Sequence, residues 1–117
     1  MGRFVSHMTK EDFVRSFKVA KDRMLDSYLA DSSELAVSAH IRSLGLSVEQ
    51  SVTIRKLLDD ALTDVFFTIL YGLDGCVSIG DMKQQNFQIR SEDGSIVCCG
   101  NGEVEGLTSK YFTNEAA

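Results

Sequence analysis

The chain has 117 residues, 44% hydrophobic and 25% charged, with a net charge of −5 and no proline. This composition excludes a disordered tail, which needs fewer apolar residues and more net charge. The longest apolar run, Val65-Phe66-Phe67-Thr68-Ile69-Leu70-Tyr71, is far below the ~20 residues of a membrane-crossing helix. Residues 61–117 set Lys83, Arg90 and Lys110 against eight carboxylates. The whole net charge therefore falls in that half, where it would repel a phosphate backbone and either suit a basic protein partner or simply keep the chain soluble.

Ser6-His7-Met8 reads as the scar of a cloning site and Met8-Thr9-Lys10 as a natural start. Residues 1–8 are accordingly expected to be a leader or cloning remnant, and 9–117 a single α+β domain. Thr9 before Glu11 and Asp12 is a helix start, with a hydroxyl for an orphan amide and carboxylates at the positive dipole end. Phe13, Phe17, Ala20, Met24, Leu25 and Tyr28 then recur at steps of about three and four, which predicts a helix over Lys10 to Ala30. Asp31-Ser32-Ser33 breaks it. A shorter helix is expected from Ser33 to Leu44, ended by Gly45.

Ser47 and Gln50 have the spacing of a capping box, opening a third helix expected over Val48 to Tyr71. Its apolar stripe runs through Ile54, Leu57, Leu58, Ala61, Leu62, Val65, Phe66 and Ile69, with Leu62 and Phe66 expected in the core. Arg55, Lys56, Asp59, Asp60, Thr63 and Asp64 make the polar side. Beyond Asp64 that side disappears, because Phe67 and Tyr71 fall below Asp60 and Asp64. A helix apolar all round is buried all round, so this end is expected to be enclosed by the C-terminal half or by another subunit. Gly72 is expected to end the helix.

Cys76 to Gly80 reads as a brief strand or an irregular segment. Gln85 to Arg90 and Ile96 to Cys99 read as a hairpin about Glu92-Asp93-Gly94-Ser95. Val104 and Leu107 then mark a short helix from Gly102 to Phe112, before a frayed end from Thr113. The expected fold is α+β: N-terminal helices around a long core helix, then a small antiparallel hairpin and a short C-terminal helix.

Few residues suggest chemistry. Gly72-Leu73-Asp74-Gly75 has the look of a backbone cradle with Asp74 as ligand or base. Phosphate loops, however, precede a helix, where free amides converge; this one follows a helix, and a glycine cap with a tight turn is expected. Asp64, Asp74, Asp81, Glu103 and Glu105 lack EF-hand spacing and read as surface acids. His40 is the only histidine outside the leader, Cys76 has no CxxC partner, and adjacent Cys98 and Cys99 point to opposite faces of a strand. No metal, cofactor or catalytic residue is expected. Three cysteines, two of them adjacent, do not form a disulfide framework and suit a reducing cytoplasm. Gln84, Gln85, Asn86 and Gln88 form a polar cluster that could recognise a partner at a strand edge.

The run from Leu62 to Phe112 carries Asp64-Val65-Phe66-Phe67, Leu70-Tyr71-Gly72-Leu73-Asp74-Gly75, Ser78-Ile79-Gly80, Gln84-Gln85, Asp93-Gly94, Gly102-Glu103-Val104-Glu105-Gly106 and Tyr111-Phe112. It is similar to small uncharacterised bacterial proteins of about this length, some of which resemble the immunity proteins that neutralise secreted toxins. The resemblance covers under half of the chain and implies a bacterial cytoplasmic protein whose job is binding. The expected function is a non-enzymatic protein-interaction module, an immunity-type inhibitor of a basic toxin, binding through Asp74, Asp81, Glu103 and Glu105. Two alternatives stay open. One is a small-molecule-binding module or minor enzyme using Asp64, Asp74 and Ser78 beside the glycine loop. The other is a structural homodimer subunit built on the apolar end of the core helix.

Overall fold

The computed structural model describes residues 7–113; the expectations for residues 1–6 and 114–117 lie outside them. In chain order the elements are α1 (Lys10–Leu29), α2 (Ala36–Ser43), α3 (Val48–Leu73), β1 (Ile89–Arg90), β2 (Ile96–Cys98) and α4 (Glu103–Phe112). The layout is α+β, with long helices preceding a two-stranded antiparallel sheet and a short last helix. Packing divides the chain into two units. A helical unit holds Val19–Phe66, and an α/β unit holds the residues to Lys18 together with those from Phe67.

The helix starts are set by side chains. Thr9 Oγ1 accepts the Asp12 amide at 2.9 Å while Asp12 Oδ2 accepts the Thr9 amide at 3.2 Å. Thr9 holds the Asp12 carboxyl below its usual range, its amide first and its hydroxyl second, by hydrogen bonding to the carboxylate. Ser47 and Gln50 make the expected capping box at the start of α3, at 2.9 and 3.1 Å. Helix α2 begins at Ala36, later than Ser33. The Ser33 hydroxyl is occupied in the preceding turn, accepting the Leu35 amide at 3.2 Å and bonding Ser38 Oγ at 2.8 Å.

Helix α3 passes through Gly72 rather than ending there. A Cβ at Gly72 would sit 2.6 Å from Ile79 Cγ1, so the residue is small because the Ile79 side chain lies against the helix. The end comes three residues later as a Schellman motif. The Cys76 amide donates to the Tyr71 carbonyl at 3.0 Å, the Gly75 amide donates to that of Gly72 at 3.1 Å, and Gly75 takes φ +78°.

The hairpin is shorter than its alternating pattern suggests. Ile89 pairs with Cys98 and Arg90 with Ile96, with a register shift between them. Residues 85–88 stay outside the ladder. Asn86 lies instead against two glycines, where a Cβ at Gly75 or at Gly100 would collide with it. The Asp93-Gly94 turn is as expected, with Asp93 Oδ1 accepting the Ser95 amide at 2.8 Å and bonding the Ser91 hydroxyl.

Val14, Leu70, Val97, Cys98, Val104 and Phe112 form the buried core of the α/β unit. Phe67 meets Tyr71 and Phe112 edge-on at ring separations of 5.2 and 6.1 Å. In the helical unit the buried side chains are Leu25, Lys21 and Ser38. Leu62 and Phe66, expected as core, are only half-buried. Asp59, expected on the solvent side of α3, turns toward α1 and meets the Lys21 ammonium at 2.5 Å. The reason is the width of the stripe: α3 is apolar over more than one packing face, and α1 covers only the edge that includes Asp59. Val65 and Ile69 remain about half exposed, so the far end of α3 is only partly enclosed.

Candidate functional site

Asp74 does not lie on a surface. It is 1% exposed. Its Oδ1 accepts the Gly100 amide at 3.1 Å, and its Oδ2 accepts the Glu105 amide at 2.9 Å. Helix α4 starts on Gly102, which offers no side-chain cap, so Asp74 supplies the missing acceptor from a distant part of the chain and places its charge at the positive end of the helix. The expectation that Asp74 binds a partner is therefore corrected: its acceptors are used internally. The glycine loop around it is also filled from within. Ile79 and Asn86 occupy the space beside Gly72 and Gly75, and Gln84 Nε2 donates to the Gly75 carbonyl at 2.6 Å. The polar cluster at 84–88 thus spends two of its amides on this loop.

The other expected binding acids are not brought together either. Glu103 is ion-paired with Lys10, whose ammonium holds the Glu103 carboxyl below the usual range. Glu105 is half-buried and stands beside the Cys76 thiol, which burial first and then this carboxylate push up. Asp81 alone is exposed in a loop. Glu11 is likewise engaged: the Tyr111 hydroxyl donates to it and Lys110 pairs with it at 3.3 Å, and both hold its carboxyl low. Asp74, Glu103 and Glu11 are thus all engaged inside the α/β unit.

Cys76, Cys98 and Cys99 are free thiols. Cys98 is fully buried, and burial pushes its thiol up, which suits an inert core cysteine rather than a nucleophile. Among the described residues no group of three or more His, Cys, Asp or Glu side chains could hold a metal ion, and no helix is long and apolar enough to cross a membrane.

The outer side of α3 in the helical unit has a different character. Leu57, Ala61 and Val65 follow one another at steps of four, so they form one stripe along the helix. Leu57 is 59% exposed and Val65 50%. Asp60 and Asp64 fall along one edge of this stripe, both exposed, and neither makes an ion pair among the described residues. Asp60 and Asp64 thus stand free beside apolar surface on α3. Their spacing was visible in the sequence. What hid them was that Leu57, Ala61 and Val65 share one apolar stripe with Leu62 and Phe66, the residues expected in the core.

The same unit contains a cavity of about 580 Å³, formed by the end of α1, by α2 and by the first two turns of α3. Its walls are largely aliphatic, and the exposed Arg42 and Arg55 are part of its lining. No family model, curated protein or solved structure matches this chain.

Proposed function

We propose that this is a non-enzymatic protein-interaction module of the cytoplasm that binds a basic partner through the outer face of α3. The observation that carries the reading is the exposed Leu57-Ala61-Val65 stripe with Asp60 and Asp64 along its edge. An apolar centre with a charged rim is the usual build of a protein interface. The free carboxylates would speed encounter with a positively charged surface and reject an acidic one. Three unpaired thiols suit a reducing compartment, and the resemblance to toxin-immunity proteins points to the same kind of partner, a basic toxin.

The test is site-specific photo-crosslinking in the native cell. A benzophenone side chain replaces Leu57 in one variant and the exposed Lys83 of the other unit in a second. A discrete adduct with one basic protein from position 57, absent from position 83, is expected. Association of that partner should slow as salt rises, since exposed charges are screened beyond about 8–10 Å at physiological ionic strength. Equal adducts from both positions, or an acidic partner, would overturn the reading.

A further inference from the structure

The cavity of the helical unit combines features that the α3 outer face lacks. Leu29, Ile41, Val52 and Ile54 supply aliphatic walls from three helices, and Arg42 and Arg55 are exposed in its lining. Arg42 spends its hydrogen bond on the backbone carbonyl of Asp31, at 3.1 Å, so its guanidinium meets no carboxylate among the described residues. Arg55 is paired with Asp26 at 3.0 Å, but both side chains are more than half exposed, and exposed pairs are weak and exchange readily. Asp31 is the only carboxylate in the lining, against two guanidinium groups, and it makes no ion pair with either. The first turn of α3, at Val48 and Ser51, also borders the cavity and adds the positive end of a helix dipole. At the end of α1, Ser38 Oγ donates to the Ser27 carbonyl at 3.2 Å, and Arg42 donates to the carbonyl two residues beyond the helix. These donors offset the negative pole that would otherwise repel an anion.

From this geometry we infer that the cavity is a binding site for a small single-chain amphiphile with a carboxylate head, its acyl chain between the aliphatic walls and its head on Arg42 and Arg55. A guanidinium fork matches a carboxylate in shape and charge. The volume, about 580 Å³, falls within the roughly 300–1,000 Å³ of small-molecule sites. The site does not include Leu57, Ala61 or Val65, so it stands or falls independently of the protein-binding face.

Decanoate is the probe, titrated into the full-length protein below its micellar concentration and followed by amide chemical shifts. A single saturable site is expected, with shifts confined to residues 28–55. Removing two methylenes, as in octanoate, should weaken binding roughly fifteenfold, since each methylene contributes about a fourfold factor. Arg42→Gln should weaken decanoate about tenfold while leaving decanol unchanged. Val52→Glu, at an exposed wall position, should abolish decanoate binding in a folded protein, and Lys83→Gln should change nothing. Equal affinity for decylamine, no dependence on chain length, or shifts spread over the α/β unit would overturn the inference. So would concentration-dependent shifts at residues 28–55 without any ligand, which would assign the cavity to a second copy of the chain.

Discussion

The two units of this chain divide their hydrophobic residues in opposite ways. The α/β unit buries Val14, Leu70, Val97, Cys98, Val104 and Phe112, and ties them down with Asp74, the Lys10–Glu103 pair and the Tyr71–Ser109 hydrogen bond at 2.7 Å. The helical unit buries one large apolar side chain among its described residues, Leu25, beside a lysine and a serine. It leaves Val19, Met24, Leu35, Leu44, Val48, Val52, Leu57 and Val65 exposed. Single exposed apolar residues are ordinary, but their concentration in one unit marks a surface built to be covered. One region buries its apolar residues, and the other leaves many of them at its surface, where the proposed interaction would use them.

The comparison breaks most sharply at Asp74. Asp74→Ala would leave the part-buried Gly100 and Glu105 amides without this acceptor, and is expected to cost about 4 kcal/mol, two charge-assisted hydrogen bonds of ordinary strength. Denaturant unfolding measures it; a loss of less than ~1 kcal/mol would mean that the carboxylate is not what anchors α4. Leu70→Ala should come next, at about 3 kcal/mol for a fully buried leucine, read from the same unfolding curves.

Acid should separate the units. Glu11, Asp12, Asp93 and Glu103 all lie in the α/β unit and are all held below their usual range by hydrogen bonds or by a neighbouring ammonium. Each binds its proton less readily folded than unfolded. The stability they add is therefore present above the unfolded values near pH 4 and is lost as pH falls through the lower folded values. Amide exchange measured at pH 6 and pH 3 should show protection falling more in α4 and the hairpin than in α2.

Smaller effects test the helical unit. Lys21 is buried between Asp59 and Asp22. Burial opposes its charge, but hydrogen bonds to both acids outweigh burial and raise its pKa. Lys21→Met keeps the aliphatic stem, and the two acids, both nearly half exposed, can return to water. A change within about 1 kcal/mol is expected, since a buried ion pair often contributes little beyond an apolar substitute. Leu57→Ala should have the smallest effect, within about 0.5 kcal/mol. A loss as large as that at Leu70 would show that the outer face of α3 is covered in the free protein.

Element boundaries followed legibly from capping chemistry. Thr9 with Asp12, Ser47 with Gln50, and the Asp93-Gly94 turn all act locally, and each formed where the residues implied. Distance along the chain hid the rest. Nothing near Asp74 in sequence announces that its oxygens will meet the amides of residues 100 and 105, so it read as a surface acid. The stripe on α3 is wider than one packing face, and periodicity alone does not say which edge a neighbour will cover. The choice fell on the edge holding Asp59 because Lys21 gives that carboxylate a partner, and Leu57 was left outside. For Asp74 the error had a plain source: a carboxylate in a turn can be a backbone acceptor as well as a solvated charge, and only the fold says which.

Lys10 reaches Glu103, and Glu11 reaches Tyr111, across almost the whole length of the chain. The α/β unit is therefore discontinuous in sequence, with the helical unit inserted between its parts. On the ribosome, where chains emerge at roughly 5–20 residues per second, the inserted helices are complete while the last helix is still unmade. The first turns of α1 must wait for partners that emerge 93 to 100 residues later. Until then, Val14 has no core to enter, on a nascent chain whose exposed apolar surface already includes the α3 stripe. That interval is when its apolar surface is least covered.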